Sequence, residues 1–428
     1  MSDAPTHTSG RARPRYDALT HRRSGQGGII DPGGNGRRGS ARMLSPSRMG
    51  DVNRSRVLQA LCDHGPLTRA DLARLAGVPR ATISGIVRPL LDGGLLEEGP
   101  PDRSVTRVGK PGRPLWFRAG AGLSVGIALR ADACEAALVS ARGELLAHEA
   151  AELTDPTDGR AVHRDIVARV SALLSPTRPD LLGIGVAVPG VCDPAHGVVV
   201  GSSQITGLGG NALAQGLRER LDADVLIDND SHAQALGEKW FGEGRGVATF
   251  AAIQTGHGLG AGLVIDGTIY RGEDGRVGEI GHVPLGDDAR CACGLRGCWE
   301  TIATLPWLRR EARARKLPGA SKLDAAALVT LARTGVRDAG ALLDLYAANL
   351  SLGLALLMQL VNPPRIILHG DAVGGGEDLR ARIEQHTRER CLPHLRDGLD
   401  IVLSSLNERA TLLGAAGLVL SETFHLRT

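Results

Sequence analysis

The 428-residue sequence predicts an α/β fold class in two parts, a small winged helix-turn-helix head and a larger two-lobed α/β body. Three observations carry this prediction. Between residues 49 and 118, three short segments of helical apolar period give way to two short strand-like runs. From about residue 119 onward, strand-length apolar runs alternate with segments of helical period. The charge also divides: residues 1–120 hold 20 Lys+Arg against 10 Asp+Glu, and the remainder holds 30 against 37. A basic head on an acidic body points to an anionic partner for the head, nucleic acid first.

Residues 1–48 are rich in Gly, Ser, Pro and Arg, with Arg22-Arg23 and Arg37-Arg38 pairs and no apolar period, and are expected to be a disordered Arg/Gly-rich tail. The tail would add nonspecific attraction to phosphate; a true start at Met43 or Met49, which would leave the tail outside the protein, is an equally weighted alternative. Residues 49–118 then read as the head. Val57, Leu58 and Leu61 give one amphipathic helix, and Thr68-Arg69-Ala70-Asp71 resembles a capping box opening a second. Gly77 marks the turn, Pro79 opens a third helix, and Ile83, Val87, Leu90 and Leu91 form its inward stripe. Leu95-Leu96 and Leu115-Trp116-Phe117 follow as a hairpin, interrupted by Gly109-Lys110-Pro111-Gly112-Arg113-Pro114. Arg80, Thr82 and Ser84 fall on the outward face of the third helix, whose N-terminal residues would approach base edges in a major groove. Lys110 and Arg113, among prolines and glycines that cannot build a core, would reach phosphate or a minor groove.

Residues 119–428 begin with the strands Val125–Leu129 and Ala136–Val139 and continue with the near-continuous apolar runs Leu182–Val188 and Val225–Ile227. A second lobe starts near Thr249 and includes a helix around Leu350–Leu360 and the strand Ile366–Leu368. No apolar run of about 18–20 residues stands out, and the N-terminus has no apolar stretch of a secretory signal. Seven cysteines, three of them in one loop, suit a reducing compartment rather than a disulfide framework, so a cytoplasmic protein with no membrane partner is expected.

The chemistry concentrates in Cys291-Ala292-Cys293-Gly294-Leu295-Arg296-Gly297-Cys298-Trp299-Glu300. Three thiols in C-x-C-x₄-C spacing, broken by two glycines, form a compact chelating loop, and His282 lies nine residues upstream. One imidazole and three thiolates are the ligand set of a closed structural Zn²⁺ site. Cys62, Cys134, Cys192 and Cys391 are expected to be ordinary buried residues.

The same ten residues, read as C-x-C-G-x-x-G-C-x-E, resemble the zinc signature of the ROK family (repressors, open reading frames and sugar kinases), with Ala292 where glycine is usual. Gly278-Glu279-Ile280-Gly281-His282 is similar to the family's E-x-G-H motif, and Asn229-Asp230 to its N-D element. The resemblance spans roughly residues 49–428. It implies that the body has the actin-like ATPase (ribonuclease H-like) fold, that His282, Cys291, Cys293 and Cys298 hold zinc, and that Asn229, Asp230, Glu279, His282 and Glu300 ring a sugar. It also implies a DNA-binding regulator, a repressor, acting as a homodimer on a palindromic operator under the control of a sugar effector.

The nucleotide side departs from the family's kinases. Their D-x-G-G-T phosphate turn aligns with Ala128-Leu129-Arg130-Ala131-Asp132, their G-T-G loop with Gly256-His257-Gly258, and their late G-G-G with His369-Gly370-Asp371. The β-carbons of Arg130 and Ala131 restrict backbone approach, and Asp132 would repel a triphosphate. Phosphoryl transfer is mainly positioning and electrostatics, so these losses predict a protein that is not an enzyme. An active ROK kinase phosphorylating a hexose with ATP is the alternative reading. A zinc-stabilised DNA-binding protein answering to protein partners is a third. Gln204, where kinases usually carry asparagine, leaves the sugar's identity open.

Overall fold

A computed structural model of the chain describes residues 46–101, 112–175 and 180–426. From Gly50 onward the described residues form one compact unit, to which every element after the first turn of α1 belongs.

The head comprises α1 (Pro46–His64), β1 (Leu67–Thr68), α2 (Arg69–Ala76), α3 (Arg80–Asp92), β2 (Leu96–Glu98) and β3 (Pro114–Phe117). Its helix boundaries follow from local chemistry. The Thr68 hydroxyl accepts from the Asp71 amide while the Asp71 carboxylate accepts from the Thr68 amide, a reciprocal capping box at α2. Gly77 ends that helix in the left-handed region (φ 64°), as an αL cap demands. Pro79 stands one residue before α3 rather than inside it. Val57, Leu58, Leu61, Leu72, Ile83, Val87 and Leu90 are buried, and Leu115 and Phe117 close the core from β3. Leu91 of α3 is half-buried and packs against this core, whereas Leu75 of α2 is exposed. The sheet is three-stranded, in the order β1-β3-β2, because Leu67 and Thr68 add to the edge of β3. Two residues are too few to show alternation in the sequence. Residues 102–111, including Lys110, lie outside the described residues, as does residue 1–45 of the expected tail.

The first lobe contains β4 (Ser124–Leu129), β5 (Ala133–Val139), β6 (Leu145–Glu152), α4 (Gly159–Leu174), β7 (Ile184–Val188), β8 (Val191–Asp193), β9 (Val198–Gly201), α5 (Leu213–Leu221), β10 (Val225–Asn229) and α6 (Asp230–Phe241). Its sheet runs β10-β7-β4-β5-β6, with β4 antiparallel to β5 and parallel to β7. β4 and β7 are buried at every residue, whereas β6 at the edge alternates half-buried and exposed, as a strand with one wet face does.

The second lobe contains β11 (Phe250–Thr255), β12 (Gly260–Ile265), β13 (Thr268–Ile269), α7 (Leu305–Ala314), α8 (Ala325–Arg333), α9 (Ala339–Leu360), β14 (Arg365–Gly370), α10 (Asp371–Arg390), α11 (Pro393–Arg396), β15 (Asp400–Leu403) and α12 (Arg409–Phe424). Its order, β13-β12-β11-β14-β15, repeats that of the first: a central strand with an antiparallel pair on one side and a parallel pair on the other. The body is thus a duplicated ribonuclease H-like unit. The 22-residue α9 is apolar and long enough to cross a membrane, which the sequence reading overlooked, but 61% of its most apolar stretch is buried in the lobe's own core.

α6 and α12 cross at the centre of the molecule, and α12 also packs on β4 and β7. The crossing needs glycine. A Cβ at Gly414 would strike the Ala233 carbonyl, and one at Gly237 would strike that of Ala410. At its far end α12 meets the head, where Phe424 stacks on Phe117 with ring centroids 6.0 Å apart. Arg245, just beyond α6, donates to the Cys62 carbonyl near the end of α1 (3.4 Å).

Candidate functional site

The strand-to-helix junction β10–α6 sets the first wall. Asn229 caps α6: its side-chain oxygen accepts from the Ser231 amide (2.8 Å) and the His232 amide (3.3 Å). Its Nδ2 donates to the Gly190 carbonyl (2.8 Å), so the buried amide is held within the protein through both its oxygen and its nitrogen. Asp230 follows as the first residue of α6, partly open to solvent, and accepts from the Ser231 amide at 2.9 Å. Burial pushes its carboxyl up to about 6; the nearby Glu279 charge adds to the rise and the Ser231 amide opposes it.

The second wall is the segment Gly278–His282, which ends in a 3-10 turn (Ile280–His282). Gly281 is required there, since a Cβ would press on the Leu259 carbonyl and on Glu300. Glu279 is exposed, with Oε2 3.7 Å from His282 Nε2. Glu300 ties two loops together: Oε1 accepts from the Leu259 amide (2.9 Å), and Oε2 lies 3.9 Å from both Cys291 Sγ and His282 Nδ1.

His282, Cys291, Cys293 and Cys298 bring one ligand atom each within 4.8 Å of one another. A tetrahedron with Zn–S arms of about 2.3 Å and Zn–N arms of about 2.0 Å has S–S edges of about 3.8 Å and S–N edges of about 3.5 Å. Cys293 Sγ and Cys298 Sγ are 3.7 Å apart, and Cys291 Sγ and His282 Nδ1 are 3.6 Å apart. Donor chemistry and spacing therefore fit zinc, held through Nδ1, with Nε2 turned toward Glu279. Left-handed Gly294 (φ 92°) and Gly297 (φ 70°) fold the loop tightly enough to converge the thiols. Trp299 behind Cys298 is fully buried and donates to the Asn349 carbonyl of α9 (2.8 Å), anchoring the loop.

On the nucleotide side, side chains stand in two of the three turns where the family's kinases carry glycines, and the third, Gly256-His257-Gly258, keeps both of its glycines. Arg130, in the β4–β5 turn, donates to Glu135 (2.9 Å) and pairs with Glu408 just before α12. Asp371 accepts from the Ala325 amide and the Tyr346 hydroxyl, both at 2.9 Å, and burial raises its carboxyl. His369 is fully buried at the end of β14, and neither ring nitrogen makes a well-formed hydrogen bond. Burial pushes it down to about 3.

In the head, Arg80, Thr82 and Ser84 are all exposed on α3, whose Ile83 points into the core. Arg113, two residues before the buried Leu115, is exposed as well. Cys62, Cys134, Cys192 and Cys391 are buried and free.

Sequence reasoning missed the support of the first wall. Asp228 is buried and accepts from His232 Nδ1 (2.9 Å), Arg271 Nε (2.8 Å) and the Asn229 amide (2.8 Å). Burial works against its charge, and His232 and Arg271 together hold the carboxyl below the usual range. The i, i+4 spacing of Asp228 and His232 was a visible signal; Arg271, 43 residues from Asp228, gave none.

Comparison with known proteins agrees with this architecture. The ROK family profile matches residues 124–422 and the MarR family profile residues 51–103. A xylose repressor of Caldicellulosiruptor bescii is 27% identical over 87% of this chain and 96% of its own length. The N-acetylglucosamine repressor of Escherichia coli O6:H1 is 26% identical over 91% of this chain and 96% of its own. Among solved structures, a ROK family transcriptional regulator described as a homologue of the E. coli MLC protein superposes with a TM-score of 0.73 (26% identity, 88% of this chain, 99% of that one). A ROK family glucokinase from Streptomyces griseus in complex with glucose and AMPPNP superposes with a TM-score of 0.62 (26% identity, 69% of this chain, 99% of that one). The chain belongs to the ROK family, joining a MarR-type winged helix to a body of the sugar-kinase fold.

Proposed function

We propose that this protein is a transcriptional repressor whose kinase-like body has become a sugar sensor. The observation that carries the reading is the asymmetry of the body: the carboxylate and metal cluster is intact, whereas two of the three phosphate-side turns are filled, one by Arg130 and the other by His369 and Asp371. In this reading Asp230, Glu279 and Glu300 accept hydrogen bonds from sugar hydroxyls, a task suited to ionised carboxylates. Asn229 acts from behind, by fixing the turn that presents Asp230. Zinc on His282, Cys291, Cys293 and Cys298 orients His282 toward the sugar and braces the loop carrying Glu300; it does no chemistry. The arrangement binds a sugar and performs no phosphoryl transfer, so Asp230 serves as a ligand-binding carboxylate rather than as a general base.

Arg80, Thr82 and Ser84 of α3 read the operator, and Lys110 and Arg113 contact phosphate or the minor groove. The protein works in the cytoplasm as a homodimer, and the two heads recognise a palindrome. The names of the xylose and N-acetylglucosamine repressors support sugar control, because the match covers 96% of the length of each. Sugar binding shifts operator affinity only through unequal affinity for two states of the body.

Thermal shift of the zinc-loaded protein against pentoses, hexoses, amino sugars and sugar phosphates, with and without Mg-ATP, tests this. A ligand at 100 times its Kd adds about 2.7 kcal/mol to stability. The sensor predicts a shift with one sugar class and none with Mg-ATP. A nucleotide-dependent shift with ADP release would restore the kinase reading, and silence across the panel would sink the sensor.

A further inference from the structure

We propose that His232, Asp228 and Arg271 are positioning residues of the effector site, locking the turn that presents Asp230 to the segment that presents Glu279. The inference rests on the effector reading above and adds residues that its motifs do not contain.

The geometry is a closed knot. Asp228, the penultimate residue of β10, is 1% exposed, and the His232 side chain, in the first turn of α6, is 0% exposed. One Asp228 oxygen accepts from His232 Nδ1 and the Asn229 amide; the other accepts from Arg271 Nε. The opposite edge of the imidazole, Nε2, meets the Val277 carbonyl at 2.9 Å. Rotation of the ring is therefore blocked at both ends.

The knot joins two stretches of chain that no shared strand connects. Asp228 and His232 lie two residues on either side of Asp230. Arg271 follows β13 of the second lobe, and Val277 lies two residues before Glu279. A link through His232 thus fixes the backbone on both sides of the gap that a sugar would fill.

Burying a carboxylate, an imidazole and part of a guanidinium is a poor route to stability alone, since apolar side chains of similar volume do as well or better. Directional hydrogen bonds contribute what apolar contacts lack: a defined distance between two walls. Such outer residues set the geometry of a site without touching its ligand. None of the three is assigned a contact with the effector.

The test uses the full-length, zinc-loaded protein with the sugar identified by the thermal-shift panel and titration calorimetry well below Tm. His232→Ala is compared with Arg271→Ala, Arg271→Lys and a core control, Ile166→Ala in α4, which is buried far from these residues in sequence. The expected result is a sugar Kd raised at least tenfold in His232→Ala and Arg271→Ala, with operator affinity and zinc content retained. Arg271→Lys should recover part of the loss, and Ile166→Ala should lower Tm yet leave Kd within twofold of wild type. Wild-type Kd in both alanine variants, or an equal loss in Ile166→Ala, overturns the proposal while leaving the sensor reading in place. If His232→Ala fails to fold, the two Arg271 variants decide it on the same criterion. A wild-type protein that binds no sugar of the panel overturns the sensor reading and this inference with it.

Discussion

In the proposed reading, Asp230 combines a sugar-binding and an energetic role at one carboxyl. Its folded pKa of about 6 stands above the ordinary value near 3.9, so ionisation above pH 6 works against folding. Asp230→Asn is therefore expected to raise Tm at pH 7.5 while weakening sugar binding at least tenfold; calorimetry and a melting curve on the same sample read both. In the wild type, sugar affinity should fall as pH drops through 6, because a protonated carboxyl is a poorer acceptor. His369 gives the opposite linkage to stability. Its folded pKa of about 3 lies below the usual 6.5, so the unfolded chain takes up a proton first as pH falls. The stability held above pH 6.5 is lost progressively toward pH 3, with Glu238 Oε1, 3.3 Å from His369 Nε2, as the acceptor nearest the incoming proton. Replacing His369 with Leu should remove that portion of the acid dependence, measured as urea midpoints at pH 7.5 and 5. Neither shift was legible in the sequence, because each arises from burial among residues far away in the chain.

At the scale of elements, the metal loop and the recognition helix make separate predictions. Zinc on the loop's converged thiols would contribute folding free energy, so chelation or Cys298→Ser should lower Tm by roughly 10 °C, the scale of a few kcal/mol in a domain this large. In the head, Arg80→Ala should cost about 1–3 kcal/mol of operator affinity with little change in salt slope, as loss of a base contact would. Arg113→Ala should reduce the slope by about 1, as loss of a phosphate contact would. Fluorescence anisotropy across a salt series separates the two. These elements were the most legible, because their signals are local: Thr68 with Asp71, Gly77 after α2, three cysteines within eight residues. What escaped was non-local or too short. β1 is two residues long, α9 passes for a membrane span until its partners are known, and the engagement of Asn229 depends on Gly190, 39 residues upstream.

Across the whole molecule, the duplicated lobes enclose α6 and α12, and these two helices connect the site to the head. α6 starts at Asp230 and ends beside Arg245, which touches α1; α12 starts beside Glu408, paired with Arg130, and ends with Phe424 on Phe117. Their glycine-tight crossing leaves little room for one to shift without the other, as packed elements with discrete arrangements require. The alternation of strands and helices announced two lobes, but the duplication and the buried helix pair emerged only from pairing and packing. Operator affinity of the zinc-loaded protein, measured on duplexes selected from a random pool with and without the sugar that stabilises it, decides whether the body governs the head. Sugar is expected to change operator Kd at least tenfold, an effect abolished in Asp230→Asn with the sugar-free affinity unchanged. A sugar that binds without altering operator Kd, or a change that persists undiminished in Asp230→Asn, would contradict it.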